Sequence, residues 1–121
     1  MKLVTTIVVA LDFDDVASDV VKAASKLAKR FRSELVLVHV IEASEEGDAN
    51  AALKGTVLAR LNDIREQLAK EGIVTADVLC EQGKAPVEIV NVANRLDVNL
   101  IMLGTRGVAV AGVQSAHLFG Q

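Results

Sequence analysis

The sequence predicts an α/β protein built on a doubly wound parallel sheet. Two Val- and Ile-rich runs, Leu3 to Leu11 and Leu35 to Ile41, are almost continuously apolar, which is typical of strands buried on both faces. Segments with apolar residues at spacings of three and four alternate with the strands, which implies right-handed crossovers and helices on both faces. We expect a single domain, residues 1–121, with four strands in the flavodoxin-like or Rossmann-like order 3-2-1-4.

The first predicted helix follows the first strand and the acidic turn after Asp12. Asp14 or Asp15 would cap its first turn, and Lys29 and Arg30 near its end match the negative end of the helix dipole. The predicted inner face consists of Val16, Val20, Ala24, Leu27, Ala28 and Phe31.

An acidic surface loop is predicted from Glu42 to Asn50, before a second helix from about Ala51 to Glu71. Gly72 would end this helix in the left-handed position that glycine favours. The predicted inner stripe consists of Leu53, Val57, Leu61, Ile64 and Leu68.

The third strand, Ala76 to Cys80, is polar at its ends, which predicts a place at the edge of the sheet. Gly83 begins a turn, and Pro86 stands where prolines start helices. The fourth strand begins at Leu100. The residues of the third helix predicted to face inward are Val87, Val90, Ala93 and Leu96.

The fourth strand runs into two glycines, Gly104 and Gly107, which can present bare backbone N–H groups to a phosphate. In a doubly wound sheet, strands one and four are neighbours whose following loops leave in opposite directions. The crevice between those loops is the expected ligand site. Asp12 and Gly104 therefore mark the two sides of a predicted binding site.

Composition excludes several other classes of partner. A net charge of −3 gives no basic surface for nucleic acid, and three Phe without Tyr or Trp give no platform for stacking bases. No apolar run approaches ~18 residues, and the N-terminus lacks a secretory signal, so we expect a cytoplasmic protein without membrane contact. The single cysteine, Cys80, is predicted to be a core residue, and His39 a histidine whose hydrogen bonds are satisfied within the sheet.

Catalytic patterns are missing from the sequence. It contains no Gly-x-Ser-x-Gly elbow, no phosphate-binding loop of the Gly-x-x-x-x-Gly-Lys-Ser/Thr type and no histidine pair at zinc-ligand spacing. No residue is evident that would position a water molecule against a phosphate, so any hydrolysis of ATP would be slow. The sequence predicts a protein that is not an enzyme.

Four segments, in this order and spacing, resemble the universal stress protein family, and the resemblance covers nearly the whole chain. The segments are Val8 to Asp14, Leu37 to Ile41, Gly83 to Ile89 and Leu100 to Gly107. Members of this family are small α/β proteins that often bind ATP or AMP. The resemblance implies an adenine nucleotide as ligand, with Mg²⁺ or Mn²⁺ bridging its phosphates rather than held in a cage of protein ligands.

The resemblance also implies which residues form the site. The end of strand one would contact the adenosine, the valine near the end of strand two would line the base, and the segment after strand four would hold phosphates. The corresponding residues are Ala10, Leu11, Asp12, Val40, Leu103, Gly104, Thr105, Arg106 and Gly107.

The family pattern continues for nine residues to a glycine followed by Ser or Thr, and here the sequence departs from it. His117 occupies the place of that glycine. Gly120 and Gln121 are the further candidates for the outer part of the site. Members usually continue with a helix and a fifth strand that commonly forms a dimer. The 14 residues after Gly107 are too few for both. We therefore expect a sheet without the usual fifth strand, either because the chain is a truncated or processed form or because that strand is truly absent.

The sequence thus favours a cytoplasmic stress-response protein that binds ATP or AMP and regulates an unknown protein partner by occupancy. One alternative is a family member without nucleotide that acts through protein association, and another is an adenylate-handling enzyme of the wider superfamily. Without a fifth strand, the apolar stretch Leu100 to Leu103 would lie at an edge of the sheet. We therefore expect a homodimer or a higher homo-oligomer.

Overall fold

The structure is a computed structural model that describes residues 6–12, 17–42, 47–98, 100–104 and 108–112. Strands and helices alternate as far as the fourth strand, which a fifth strand follows directly. The elements are β1 (Thr6–Ala10), α1 (Ala17–Phe31), β2 (Glu34–Ile41), α2 (Gly47–Lys70), β3 (Thr75–Gln82), α3 (Ala85–Arg95), β4 (Leu100–Gly104) and β5 (Val108–Gly112).

The sheet has the order β3-β2-β1-β4-β5, and its first four strands are parallel. In the centre, Val8 of β1 pairs with Val36 on one side and with Ile101 on the other. The predicted order 3-2-1-4 is confirmed, and so is the position of β3 at an edge. This order makes β1 and β4 neighbours, so the carboxyl ends of these two strands open side by side.

The sheet also contains a strand that the sequence did not predict. β5 pairs antiparallel with β4, from Gly104 opposite Val108 to Leu100 opposite Gly112. An antiparallel strand needs only a short turn, whereas a parallel one needs a crossover of a dozen or more residues. The expectation of a sheet that ends at β4 is therefore wrong, as is the expectation that β4 is an edge strand.

The two faces of the sheet have separate cores. On one face α1 and α2 cover alternate residues of the strands, including Ile7, Val9, Leu35 and Leu37. On the other face α3 covers the intervening residues. The second core consists of Val8, Val36, Val38, Val92, Ala93, Val98 and Ile101. Since successive strand residues point to opposite faces, the nearly continuous apolar runs of β1 and β2 serve both cores.

Three side chains that were predicted to face the core are exposed instead. Leu53 of α2 is 46% exposed, Val87 of α3 is 53% exposed, and Leu96 just after α3 is 39% exposed. In α3 the buried residues are Val90, Val92 and Ala93. α2 also begins at Gly47, which shortens the predicted loop from Glu42 to Asn50. Asp14, Asp15 and Val16 lie outside the described residues.

The predictions for Gly72, Pro86 and Cys80 are confirmed. Gly72 follows α2 with a φ of 81°, which glycine adopts without strain, and Pro86 lies in the first turn of α3. Cys80 is a buried free cysteine, and burial raises the pKa of its thiol. None of the described helices is both long and apolar enough to cross a membrane.

Candidate functional site

A crevice of about 270 Å³ opens at the carboxyl edge of the sheet, between the ends of β1 and β4. Its walls come from β1, β2, β4 and the first two turns of α3. The lining residues are Ala10, Leu11, Asp12, Val38, Val40, Ala85, Pro86, Ile89, Val90, Ile101, Leu103 and Gly104. The crevice is thus the outer continuation of the core between the sheet and α3.

The walls follow from strand alternation and from the start of α3. Ile101 and Leu103 of β4, two residues apart, face the same side of the sheet as Val8 and Val38. Opposite them, Pro86 fixes the first turn of α3. Apart from Asp12, the lining residues carry apolar side chains or none. Such a surface suits a flat, weakly polar ring, whose polar edge must then find backbone partners.

The backbone of Val40 is directed toward the crevice. The N–H of Leu11 donates to the carbonyl of Val38 at 2.8 Å, on the β1 side of β2, whereas the carbonyl of Ile41 accepts from Gly83 at 3.0 Å, on the β3 side. Backbone groups of a strand alternate between its two neighbours. The N–H and C=O of Val40 therefore point to the β1 side, beyond the last residue of β1.

Leu11 is held in place by β2 although it lies past the end of β1. In addition to its N–H bond to Val38, its carbonyl oxygen lies 2.6 Å from Nδ1 of His39. A carbonyl only accepts hydrogen bonds, so Nδ1 carries the hydrogen and donates it. The predicted satisfied histidine is confirmed, and it acts on the residue that precedes Asp12.

One hydrogen bond and one glycine fix the turn that leads into α3. The backbone N–H of Ala85 donates to Oε2 of Glu42 at 3.2 Å. Lys84 occupies the N-cap position without a side-chain cap, so the carboxylate from the end of β2 serves the helix N-terminus. Gly83 has a φ of 142°, and a Cβ there would lie 2.9 Å from the Glu88 carboxylate. This positive φ strains any side chain, so the turn favours glycine.

Six of the predicted site residues line the crevice: Ala10, Leu11, Asp12, Val40, Leu103 and Gly104. The others, Thr105, Arg106, Gly107, Gly120 and Gln121, lie outside the described residues. The sequence did not predict the wall formed by α3, because Pro86 was interpreted only as a helix start. A helix that begins at the carboxyl edge of the sheet can border the crevice there, but its start signal does not show that it does.

Metal binding has no visible basis in the part of the chain that the structure describes. It contains no group of three or more His, Cys, Asp or Glu side chains able to hold an ion. Within this part of the chain, the site offers shape, an apolar surface, one carboxylate at Asp12 and backbone hydrogen-bonding groups.

The fold and the crevice define a doubly wound α/β domain with a ligand site at the switch point of its sheet. A model of the universal stress protein family matches residues 4–120. The chain belongs to the universal stress protein family.

Individual relatives agree with this assignment. The chain is similar to the universal stress protein YxiE of Bacillus subtilis (strain 168), with 30% identity covering 84% of this chain and 78% of that protein. It is also similar to the crystal structure of a universal stress protein family member from Burkholderia pseudomallei, with a TM-score of 0.73 and 26% identity, covering 84% of this chain and 82% of that one.

A second similar structure is that of a universal stress protein from Archaeoglobus fulgidus in complex with dAMP. Its TM-score is 0.63 at 24% identity, and the match covers 88% of this chain and 84% of that one. At this level of identity the likeness shows a shared fold.

Proposed function

We propose that the protein binds an adenine nucleotide, ATP or AMP, in the crevice between β1 and β4 and that it regulates by occupancy rather than by turnover. The observation that carries this proposal is the position of the crevice. It lies at the switch point, with Asp12 at its rim and the backbone of Val40 directed toward it. Open α/β sheets bind ligands at this place.

The base would lie between aliphatic walls, with its polar edge on β2. Adenine presents a ring nitrogen acceptor beside its N6 donor, which complements the N–H and C=O of a single strand residue such as Val40. Guanine presents a carbonyl oxygen instead of that amino group. The same strand edge would therefore favour adenine over guanine.

Asp12 would accept hydrogen bonds from the ribose hydroxyl groups, because an ionised carboxylate is an acceptor only. The phosphates would leave the crevice along Gly104, and Mg²⁺ or Mn²⁺ would arrive bound to them. A volume of about 270 Å³ lies just below the usual range of about 300–1,000 Å³. It suits the base and the ribose better than a whole triphosphate.

The Archaeoglobus relative with bound dAMP supports this choice of ligand, since dAMP carries the same base. We place the protein in the cytoplasm, in a stress response, where occupied and empty forms would offer different surfaces to a protein partner. Binding without catalysis agrees with the described lining residues, among which Asp12 carries the one carboxylate.

A protein-association role without nucleotide is the second candidate. The observation that favours it is His117, which stands where the family pattern has its third glycine. A chain that lacks the outer phosphate contacts would act through its surfaces alone. The same binding experiment separates the two candidates.

The experiment is calorimetric titration of the full chain with AMP, ATP and GMP. We expect both adenine nucleotides to bind more tightly than GMP. Asp12→Ala should weaken AMP binding by about tenfold or more, since it removes hydrogen bonds to a charged group. Ala10→Leu should abolish binding, because its side chain would fill the crevice.

Glu34→Gln is the matched control, because Glu34 lies at the opposite end of β2 and does not line the crevice. It should leave the affinity unchanged. Wild-type protein that binds no adenine nucleotide at millimolar concentration, and whose melting temperature ATP leaves unchanged, would establish the second candidate instead. Tight AMP binding that survives both Asp12→Ala and Ala10→Leu would place the ligand elsewhere.

A further inference from the structure

His39 interrupts the hydrogen-bond ladder at the point where β2 passes the end of β1. The registers place Leu11 opposite His39, one step after the pair Ala10 and Val38. In a regular parallel ladder, the Leu11 N–H donates to Val38, and the Leu11 carbonyl then accepts from the N–H of Val40. The first of these bonds is present at 2.8 Å. At the position of the second, Nδ1 of the His39 ring lies 2.6 Å from the Leu11 carbonyl.

We infer that His39 is a positioning residue for the base, because its imidazole takes the Leu11 carbonyl and leaves the Val40 N–H available to a ligand. This inference rests on the proposed function, in which that N–H binds the adenine. The side chain of His39 is half-buried and does not line the crevice. Its effect on the ligand therefore passes through the backbone of Leu11 and Val40.

A carbonyl that already accepts a hydrogen bond at 2.6 Å from a ring N–H competes less well for a second donor. If the ring is removed, the nearest backbone donor in the ladder is the Val40 N–H. The sheet would then extend by one hydrogen bond and the crevice would lose its donor.

Substitution of His39 separates this role from simple packing. His39→Leu removes the donor, His39→Gln moves it toward the position of Nε2, and His39→Asn keeps an amide N–H near the position of Nδ1. We expect His39→Asn to bind AMP about as tightly as the wild type does. His39→Gln and His39→Leu should both bind it about tenfold more weakly. Val78→Ala is the control, since Val78 is half-buried on the same face of the sheet and does not line the crevice.

The decisive readout is amide hydrogen exchange at Val40 in the protein without nucleotide, measured by NMR. We expect exchange at Val40 to slow by about tenfold in His39→Leu, as the N–H joins the ladder, and to remain at the wild-type rate in His39→Asn and Val78→Ala. Loss of packing alone would instead speed exchange at Val40 in His39→Leu and lower the melting temperature of that variant.

Two results would overturn the inference: equal loss of AMP affinity in His39→Leu and His39→Asn, or Val40 exchange in His39→Leu that is unchanged or faster. If the wild type binds no adenine nucleotide, the proposed function fails. The exchange measurements would then still decide whether His39 withholds Val40 from the ladder. If His39→Leu does not fold, His39→Gln supplies the same comparison.

Discussion

Oε2 of Glu42 lies 3.2 Å from the backbone nitrogen of Ala85 and accepts its hydrogen bond, which joins the end of β2 to the first turn of α3. Ala85 lines the candidate site, so this contact fixes one wall of the crevice. It also places a negative charge at the positive end of the α3 dipole, the end that would otherwise attract phosphate. The same carboxylate therefore stabilises this wall of the crevice and repels the negative charge of a phosphate on the ligand.

Glu42→Gln should separate these two effects, because the amide oxygen can still accept from Ala85 while the charge is lost. We expect ATP affinity to rise by about twofold to threefold at low salt and AMP affinity to rise less, which matches the modest energy of charges at helix ends. Titration at low and at high ionic strength measures this, since salt screens the exposed carboxylate. An equal gain in Glu34→Gln would assign the effect to net charge rather than to this contact.

Leu61 and Leu53 of α2 provide a matched test of which part of this helix contributes to the free energy of unfolding. Leu61 is fully buried and Leu53 is 46% exposed, although both were predicted to face the core. Leu61→Ala should lower the free energy of unfolding by about 2–5 kcal/mol, and Leu53→Ala by about 0.5 kcal/mol. Urea denaturation measures both. Similar losses in the two variants would mean that the first turns of α2 are packed in solution.

The error at Leu53 has a geometric cause. The 24 residues of α2 extend about 36 Å at 1.5 Å per residue, whereas the eight residues of β2 extend about 26 Å at 3.3 Å per residue. A helix that runs antiparallel to the strands and is longer than the sheet overhangs it at one end. Periodicity identifies the inner stripe, but it cannot show where the sheet that this stripe covers comes to an end.

The candidate site was predictable where it depends on strand ends. Asp12, Val40 and Gly104 follow or end buried apolar runs, and the switch-point rule brings such ends together. The wall from Pro86 to Val90 was not predicted, since helix-start signals do not reveal which crevice a helix borders. β5 was missed for a different reason. The sequence after Gly107 is too short for the crossover that a strand parallel to β4 needs. The strand Val108–Gly112 is antiparallel to β4, and an antiparallel strand needs no such crossover.

Glu71 makes the stability of the fold depend on pH. Its carboxylate accepts hydrogen bonds from Lys29 at 3.0 Å and from Ser25 at 3.2 Å, which ties the residue after α2 to α1. The hydrogen bond from Lys29, that from Ser25 and the charge of Lys29 lower the pKa of Glu71 below its ordinary value of 4.5. A pKa lowered by folding means stability that is present above pH 4.5 and is lost as pH falls through the folded pKa.

We therefore expect Glu71→Gln to be less stable than the wild type near neutral pH and to lose this difference as the pH falls below about 4.5. Urea denaturation at a series of pH values measures the difference. Glu66→Gln is the control, because Glu66 is an exposed carboxylate near the end of α2. The difference should also shrink with added salt, since the side chains of Lys29 and Glu71 are about half exposed. A difference that stays constant down to pH 3 would exclude the ionised carboxylate as its source.

Self-association is expected at β5, for a reason that differs from the predicted one. β4 is paired on both sides, and among the described strands β3 and β5 lie at the two edges of the sheet. β3 contains Asp77 and Glu81, charges of the kind that protect an edge, whereas β5 has the uncharged sequence Val-Ala-Val-Ala-Gly. Val110→Lys should therefore convert a dimer to a monomer in light scattering at high micromolar concentration, and Ala76→Lys on β3 should not. A monomeric wild type, or a dimer that only Ala76→Lys disrupts, would show that β5 is not the interface.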